Sequence, residues 1–263
     1  MVRYQVILAY DGAQFHGFQR QLNGRTVQEV VETALRKLNW QGSSILAAGR
    51  TDAGVHATGQ VVAFDLEWHH PLEALLRAIN ANLPLDVSAR QIRQVSEDFH
   101  PRYDALTRRY QYRLYCDRLR NPMLDRYAWR VWPAVQLSVL QEAAQDFVGC
   151  HDFNAFGNPP QSEGSTVRTV FQSSWQDRAQ VFSFEVIADG FLYHMVRRMV
   201  AQQVLVAQGK VERRIIRQLL GFEGETASQV EISSQLLAPA RGLTLVEVQY
   251  PEQVFELDNQ NKN

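Results

Sequence analysis

Twice along this chain of 263 residues the apolar pattern runs strand, helix, strand, strand, helix, strand, and few architectures accept that order. Tyr4–Tyr10 (YQVILAY) is rich in β-branched and aromatic residues, and Asp11-Gly12 ends it with a turn signal. Thr26-Val27-Gln28-Glu29 has the capping-box pattern that opens a helix. Val27, Val30, Val31, Ala34, Leu35 and Leu38 then follow at helical spacing. Residues 44–48 read as a short strand and Gly59–Leu66 as a longer one. Pro71 stands where a helix can start, with Leu72, Leu75, Leu76 and Ile79 as its stripe. Val87–Val95 completes the set.

The second half repeats the order. Arg109–Cys116 is a strand with Tyr110, Tyr112 and Leu114 on one face. Ser138 can cap a helix that runs through Phe147-Val148 to Gly149. Val167–Ser174 and Val181–Ala188 form a hairpin around Gln176-Asp177-Arg178, and Leu192–Gln208 is a long helix closed by Gly209. Arg213–Leu220 is a short basic helix closed by Gly221, and Leu243–Gln249 is the last strand before Pro251. Each half has the split βαβ order, with no residue-level repeat between them. The expected fold is α+β: two ferredoxin-like lobes with antiparallel sheets side by side, helices on one face and a catalytic cleft between the lobes. The expected division is 1–104, 105–250 and a polar, frayed tail 251–263. Gly157–Thr166, rich in Gly, Pro and Ser, is expected to be a loop.

A chain of this length can bury a core without disulfide or metal staples. The net charge of −1 does not announce a nucleic-acid partner, but the distribution of basic residues is uneven. Cys116 and Cys150 have no metal-ligand spacing, and two cysteines in such a chain fit a reducing compartment. Met1–Gln5 gives no signal peptide, and no apolar run approaches the roughly 18 residues of a membrane span. A cytoplasmic protein without membrane association is expected.

Between the strands of the first half lies Ala48-Gly49-Arg50-Thr51-Asp52-Ala53-Gly54-Val55-His56, followed by the apolar run Gln60–Phe64. Gly49, Gly54 and Gly59 recur at intervals of five, and glycine allows positive φ or close backbone approach. Asp52 in such a turn is placed to face a ligand, or to cap its own turn. Arg50 is a solvated arginine or a partner of Asp52. Tyr110, which shares its face with Tyr112 and Leu114, is a core aromatic or a ring that contacts a ligand. Arg197 lies on the flank of the stripe formed by Leu192, Met195, Val196, Met199, Val200 and Gln203. From there it can reach a carboxylate or snorkel; Arg198 turns further away. Arg108, Arg109, Arg113, Arg118 and Arg120 form one basic run, Arg213, Arg214 and Arg217 a second, and Arg20 and Arg25 flank the loop Gln14–Gln21. Such runs, interleaved with Tyr and Phe, can hold phosphates with salt-dependent affinity.

Gly49–His56 (GRTDAGVH) resembles the catalytic motif of the tRNA pseudouridine synthase A family. The resemblance extends over nearly the whole chain in the family's order. It takes in Tyr10-Asp11-Gly12, Phe18-Gln19-Arg20-Gln21, Asn80–Pro84, Phe99–Arg102, Arg108–Tyr112, Phe191–Arg197 and Gly242-Leu243. The resemblance implies conversion of uridine to pseudouridine at positions 38, 39 and 40 of the tRNA anticodon stem-loop. The uracil is detached from C1′, rotated and reattached through C5. Asp52 matches the essential aspartate, which attacks C1′ or removes the C2′ proton. Arg50 matches the arginine that fills the space a flipped base vacates, Tyr110 the active-site tyrosine, and Arg197 the arginine that pairs with the aspartate. Arg20, Arg108 and Arg109 are expected to bind the substrate. No cofactor and no metal are implied, and members dimerise with one tRNA contacting both subunits.

The chain departs from the family pattern at Ala201, where glycine is common, and at Gly157, where an arginine or lysine is common. Two other functions fit less well: a non-catalytic RNA-binding protein, which has no need of the Asp52 turn, and a glycoside hydrolase, which needs a second carboxylate.

Overall fold

In the computed structural model, which describes residues 1–159, 164–221 and 237–255, Thr26 opens the first helix as the capping pattern requires. Its hydroxyl accepts from the Glu29 amide at 3.4 Å, satisfying one of the orphan donors of a helix start. The chain divides into two units, Met1–Thr107 with Leu245–Asn263, and Arg108–Thr244.

The first unit contains β1 (Val2–Tyr10), α1 (Val27–Arg36), β2 (Leu46–Ala47), β3 (His56–Leu66), α2 (Leu72–Asn82) and β4 (Val87–Val95). Its sheet runs β4-β1-β3, with every pair antiparallel, and β2 lies antiparallel to β3. Tyr4, Val6, Leu8 and Tyr10 are buried on β1, as period two demands. Val27, Val31, Ala34 and Leu35 bury the stripe of α1, each valine or leucine worth about 1.5–3 kcal/mol. β3 starts at His56 rather than Gly59, because Ala57 pairs with Tyr10 at the end of β1. β2 is shorter than residues 44–48, because Ser44 and Ile45 hydrogen-bond to the side chains of α1 instead: Gln28 Nε2 donates to Ser44 Oγ at 2.8 Å, and the Ile45 amide to Glu32 at 3.2 Å.

The second unit contains β5 (Thr107–Cys116) from Arg108 on, α3 (Pro122–Asp125), β6 (Trp129–Val131), α4 (Leu137–Gln145), β7 (Gly149–Asp152), β8 (Val167–Arg178), β9 (Val181–Ala188), α5 (Met195–Ala207) and α6 (Arg214–Leu219). The order β5-β9-β8-β7 is antiparallel throughout, with β6 parallel to the end of β5. α3, β6 and β7 have three or four residues each, too few to show a period in sequence. Ser138 is not the cap of α4: Gln136 is extended at that position, and its carbonyl accepts from the Leu140 amide to close the first turn. The hairpin turns at Ala179-Gln180, both with positive φ, so Gln176–Arg178 remain in the ladder. Neither residue is the Asn or Gly that announces such a turn. α5 starts at Met195, after His194 in the left-handed region at φ 67°. It is buried nearly all round rather than along one stripe, and Arg197 and Arg198 are both half-buried on it. Trp175 Nε1 donates to Gln203 Oε1 at 2.6 Å and Gln203 Nε2 to the Met199 carbonyl, so this fully buried amide is satisfied.

β10 (Leu243–Gln249) falls where expected, but from Leu245 on it groups with the first unit. Gly59 allows this, since a Cβ there would sit 2.1 Å from the Val246 carbonyl oxygen. Part of the Gly157–Thr166 loop, residues 160–163, and the end of the tail, residues 256–263, lie outside the described residues. No helix among the described residues is long and apolar enough to cross a membrane.

Candidate active site

The Asp52 turn hangs between β2 and β3 and is fastened from several sides. The Ala48 amide donates to the Val61 carbonyl at 2.9 Å, and the Val55 amide to the Asp52 carbonyl at 3.1 Å, which closes the turn. Gly54 takes φ 77°, a left-handed conformation that side chains disfavour. The early loop is stitched to the same turn: the Phe18 amide donates to the Thr51 carbonyl at 3.0 Å, and the Gly54 amide to the Phe15 carbonyl at 3.2 Å. Phe15 and Phe18 are buried, so the aromatics of this loop anchor it. Asp52 is half-buried. Arg50 is exposed and has no hydrogen-bond or ion-pair partner among the described residues.

Behind the turn stand groups that sequence reasoning did not single out individually. The Tyr10 hydroxyl lies 2.8 Å from Thr51 Oγ1, and Gln60 Nε2 donates to the Gly49 carbonyl at 2.9 Å. The Gly12 amide donates to His56 Nδ1 at 3.0 Å, and a carboxylate oxygen of Asp11 lies 3.1 Å from the same nitrogen. Tyr10, Gln60 and His56 are all buried. The signals were present: the Tyr10-Asp11-Gly12 block, and a glutamine opening an otherwise apolar strand. The three evenly spaced glycines have different reasons. Gly54 needs its φ, Gly59 admits a neighbouring strand, and Gly49 has nothing within 4 Å of a would-be Cβ.

Arg20 also belongs to the first unit. Its guanidinium donates to Glu32 at 2.6 Å, and Arg25 grips Asp86 through two bonds of 2.6 and 2.8 Å. In the second unit Tyr110 is half-buried, its ring edge-on to Phe191 with centroids 5.0 Å apart. Phe191 lies on the segment leading into α5, which carries Arg197. Arg197 Nε donates to the Ala238 carbonyl at 2.7 Å. Arg108 donates to the Asp189 carbonyl at 2.7 Å, and Arg109 lies 3.7 Å from Glu185. Several other members of the basic runs are held by acids: Arg120 by Asp125, Arg213 by Asp146 and Glu142, and Arg214 by Glu212.

The two departures have local settings. Ala201 is completely buried within α5. At Gly157 a Cβ would sit 2.6 Å from the Tyr193 carbonyl oxygen and 2.7 Å from Leu192 Cβ, so a long basic side chain requires the backbone to move.

A family model described as tRNA pseudouridine synthase matches residues 6–104 and 143–251. The chain belongs to the tRNA pseudouridine synthase family. It is 36% identical over 252 residues to a tRNA pseudouridine synthase A of Geobacter sp. (strain M21), covering 96% of this chain and all of that one. It is 39% identical over 258 residues to that of Limosilactobacillus fermentum, covering 95% of this chain and 96% of the relative. A relative of the same name in Methylacidiphilum infernorum is 39% identical, with the same shares covered. Among solved structures, an archaeal box H/ACA sRNP Nop10-Cbf5 complex aligns with 75% of this chain and 44% of that chain at 14% identity and a TM-score of 0.38, too loose a likeness to define topology. In this pseudouridine synthase the family match spans the Asp52 turn and the Arg197 helix.

Proposed function

We propose that this tRNA pseudouridine synthase acts at positions 38, 39 and 40 of the anticodon stem-loop, with Asp52 as the reacting carboxylate. The family match across an intact Asp52 turn carries the reading. The N1–C1′ bond breaks, a C5–C1′ bond forms, and the proton lost from C5 is balanced by one gained at N1, so the isomerisation consumes no co-reactant. Asp52 enters by attacking C1′ or by removing the C2′ proton, and both routes need an ionised carboxylate. The uridine must first leave its stack, at a cost of a few kcal/mol.

Arg50 is the group assigned to the vacated space, because guanidinium is planar and stacks; its exposure and lack of a competing partner support this. Tyr110 is assigned to stack on the extruded uracil, and Arg197 to keep Asp52 ionised by opposite charge. Arg20, Arg108 and Arg109 are assigned to RNA phosphates. For Arg20 this uses the 44% of its side chain that stays exposed beside Glu32.

The finer fold reading is two ferredoxin-like lobes; the antiparallel order β4-β1-β3 with β2 beside β3 and two intervening helices supports it for the first unit. A cytoplasmic homodimer completes the proposal, and sedimentation showing only monomer at micromolar concentration would count against it.

The test is to map pseudouridine in tRNA incubated with the protein and with Asp52→Asn. Product at positions 38–40 is expected from the wild type and none from the variant. Wild-type turnover by the variant removes Asp52 from the reaction. Binding of tRNA without any product from the wild type identifies a non-catalytic RNA-binding protein.

A further inference from the structure

We propose that Tyr10 and Thr51 are positioning residues: their buried hydroxyl–hydroxyl bond holds the main chain of the Asp52 turn in the conformation that the reaction uses. This goes beyond the role given to Asp52 and rests on it.

Tyr10 is the last residue of β1 and is 5% exposed; Thr51, one residue before Asp52, is 7% exposed. Tyr10 Oη and Thr51 Oγ1 are 2.8 Å apart. The bond does not stand alone. The Thr51 carbonyl is held by the Phe18 amide, the Asp52 carbonyl by the Val55 amide, and the Gly49 carbonyl by Gln60 Nε2 from β3. Three carbonyls between residues 49 and 52 are thus anchored, while the Arg50 side chain points to solvent and Asp52 stays half-buried. Without Tyr10, the Thr51 side chain has no comparable anchor in its hydrogen bonds. A reacting group displaced by about 1 Å can lose on the order of a hundredfold in rate.

The role is geometric rather than acid–base. Burial pushes the Tyr10 phenol up to about 12, against the smaller opposing effects of hydrogen bonds from Thr51 and Gln60. The phenol therefore stays neutral throughout the range in which a carboxylate is ionised. A ring needed only to fill the core would be served equally by phenylalanine.

The decisive variants are Tyr10→Phe, which keeps the ring, and Thr51→Val, which keeps the volume. Each is expected to lower kcat on an anticodon stem-loop by about tenfold to a hundredfold. KM should stay within about threefold, and the shape of the pH profile should not change. Because the two act through one bond, the double variant is expected to be no slower than the worse single variant, and Thr51→Ser, which retains the hydroxyl, should recover most of the rate. Circular dichroism and thermal melts establish that the assayed protein is folded. Wild-type kcat in Tyr10→Phe, or losses that multiply in the double variant, overturns the inference. If Tyr10→Phe does not fold, Thr51→Val against Thr51→Ser decides it: equal rates overturn it. Failure of the underlying role for Asp52 is separate, and shows as activity retained by Asp52→Asn.

Discussion

The Arg20 guanidinium donates to a Glu32 carboxylate oxygen at 2.6 Å, and the Glu32 side chain has no solvent exposure at all. Gln28 Nε2 and the Ile45 amide donate to the other oxygen at 2.8 and 3.2 Å. The core-facing side of α1 therefore contains a charge that the loop before it must neutralise. Arg20→Ala leaves that carboxylate with two neutral donors and the longer ion pair with Arg36, at 3.5 Å. A loss of about 1–3 kcal/mol is expected, read as a lower urea midpoint, together with weaker tRNA binding. Weaker binding at unchanged stability would assign Arg20 to phosphate contact alone.

Two glycines near the site should respond unequally to alanine. At Gly12 a Cβ would stand 1.9 Å from the Val55 carbonyl oxygen, whereas at Gly49 nothing lies within 4 Å. Gly12→Ala should cost about 1–3 kcal/mol by overpacking and should lower turnover by shifting Val55 and His56. Gly49→Ala should stay within about 0.5 kcal/mol of wild type in stability. If its turnover falls all the same, the space beside Gly49 is used by RNA. Equal stability losses in the two variants would contradict this.

Across the β1–β3 ladder, Arg3 grips Asp65 through bonds of 2.7 and 2.8 Å. The hydrogen bond from Arg3 outweighs partial burial and holds the Asp65 carboxyl below the usual carboxylate range. A carboxyl depressed on folding contributes stability that is fully present above its unfolded value, about 3.9, and is lost as pH falls through the lower folded value. The contribution is small and sensitive to salt, since the Asp65 side chain is 40% exposed. Urea midpoints of wild type and Asp65→Asn should differ at pH 7 and converge as pH falls below about 4. A gap independent of pH would exclude the linkage.

Long elements were legible from the chain: Val87–Val95 and Leu243–Gln249 coincide with β4 and β10, and the Thr26 cap opens α1. Period and capping act over neighbouring residues, so sequence records them. Elements that depend on a distant partner were not. The start of β3 at His56 is set by Tyr10, the length of β2 by Gln28 and Glu32, and the grouping of Leu245 onward by the backbone approach at Gly59.

The same division runs through the site. Sequence alone determined that Asp52 sits in a glycine-punctuated turn ahead of an apolar strand, and the motif's resemblance to a known family supplied its chemistry. Tertiary structure decided what makes that turn rigid. Tyr10, Gly12 and Phe18 lie more than thirty residues before it and meet it through hydrogen bonds made only on folding, and Gln60 reaches back to it from β3. A residue pattern can mark a reacting carboxylate, but the bonds that hold it still belong to atoms the chain brings together only on folding.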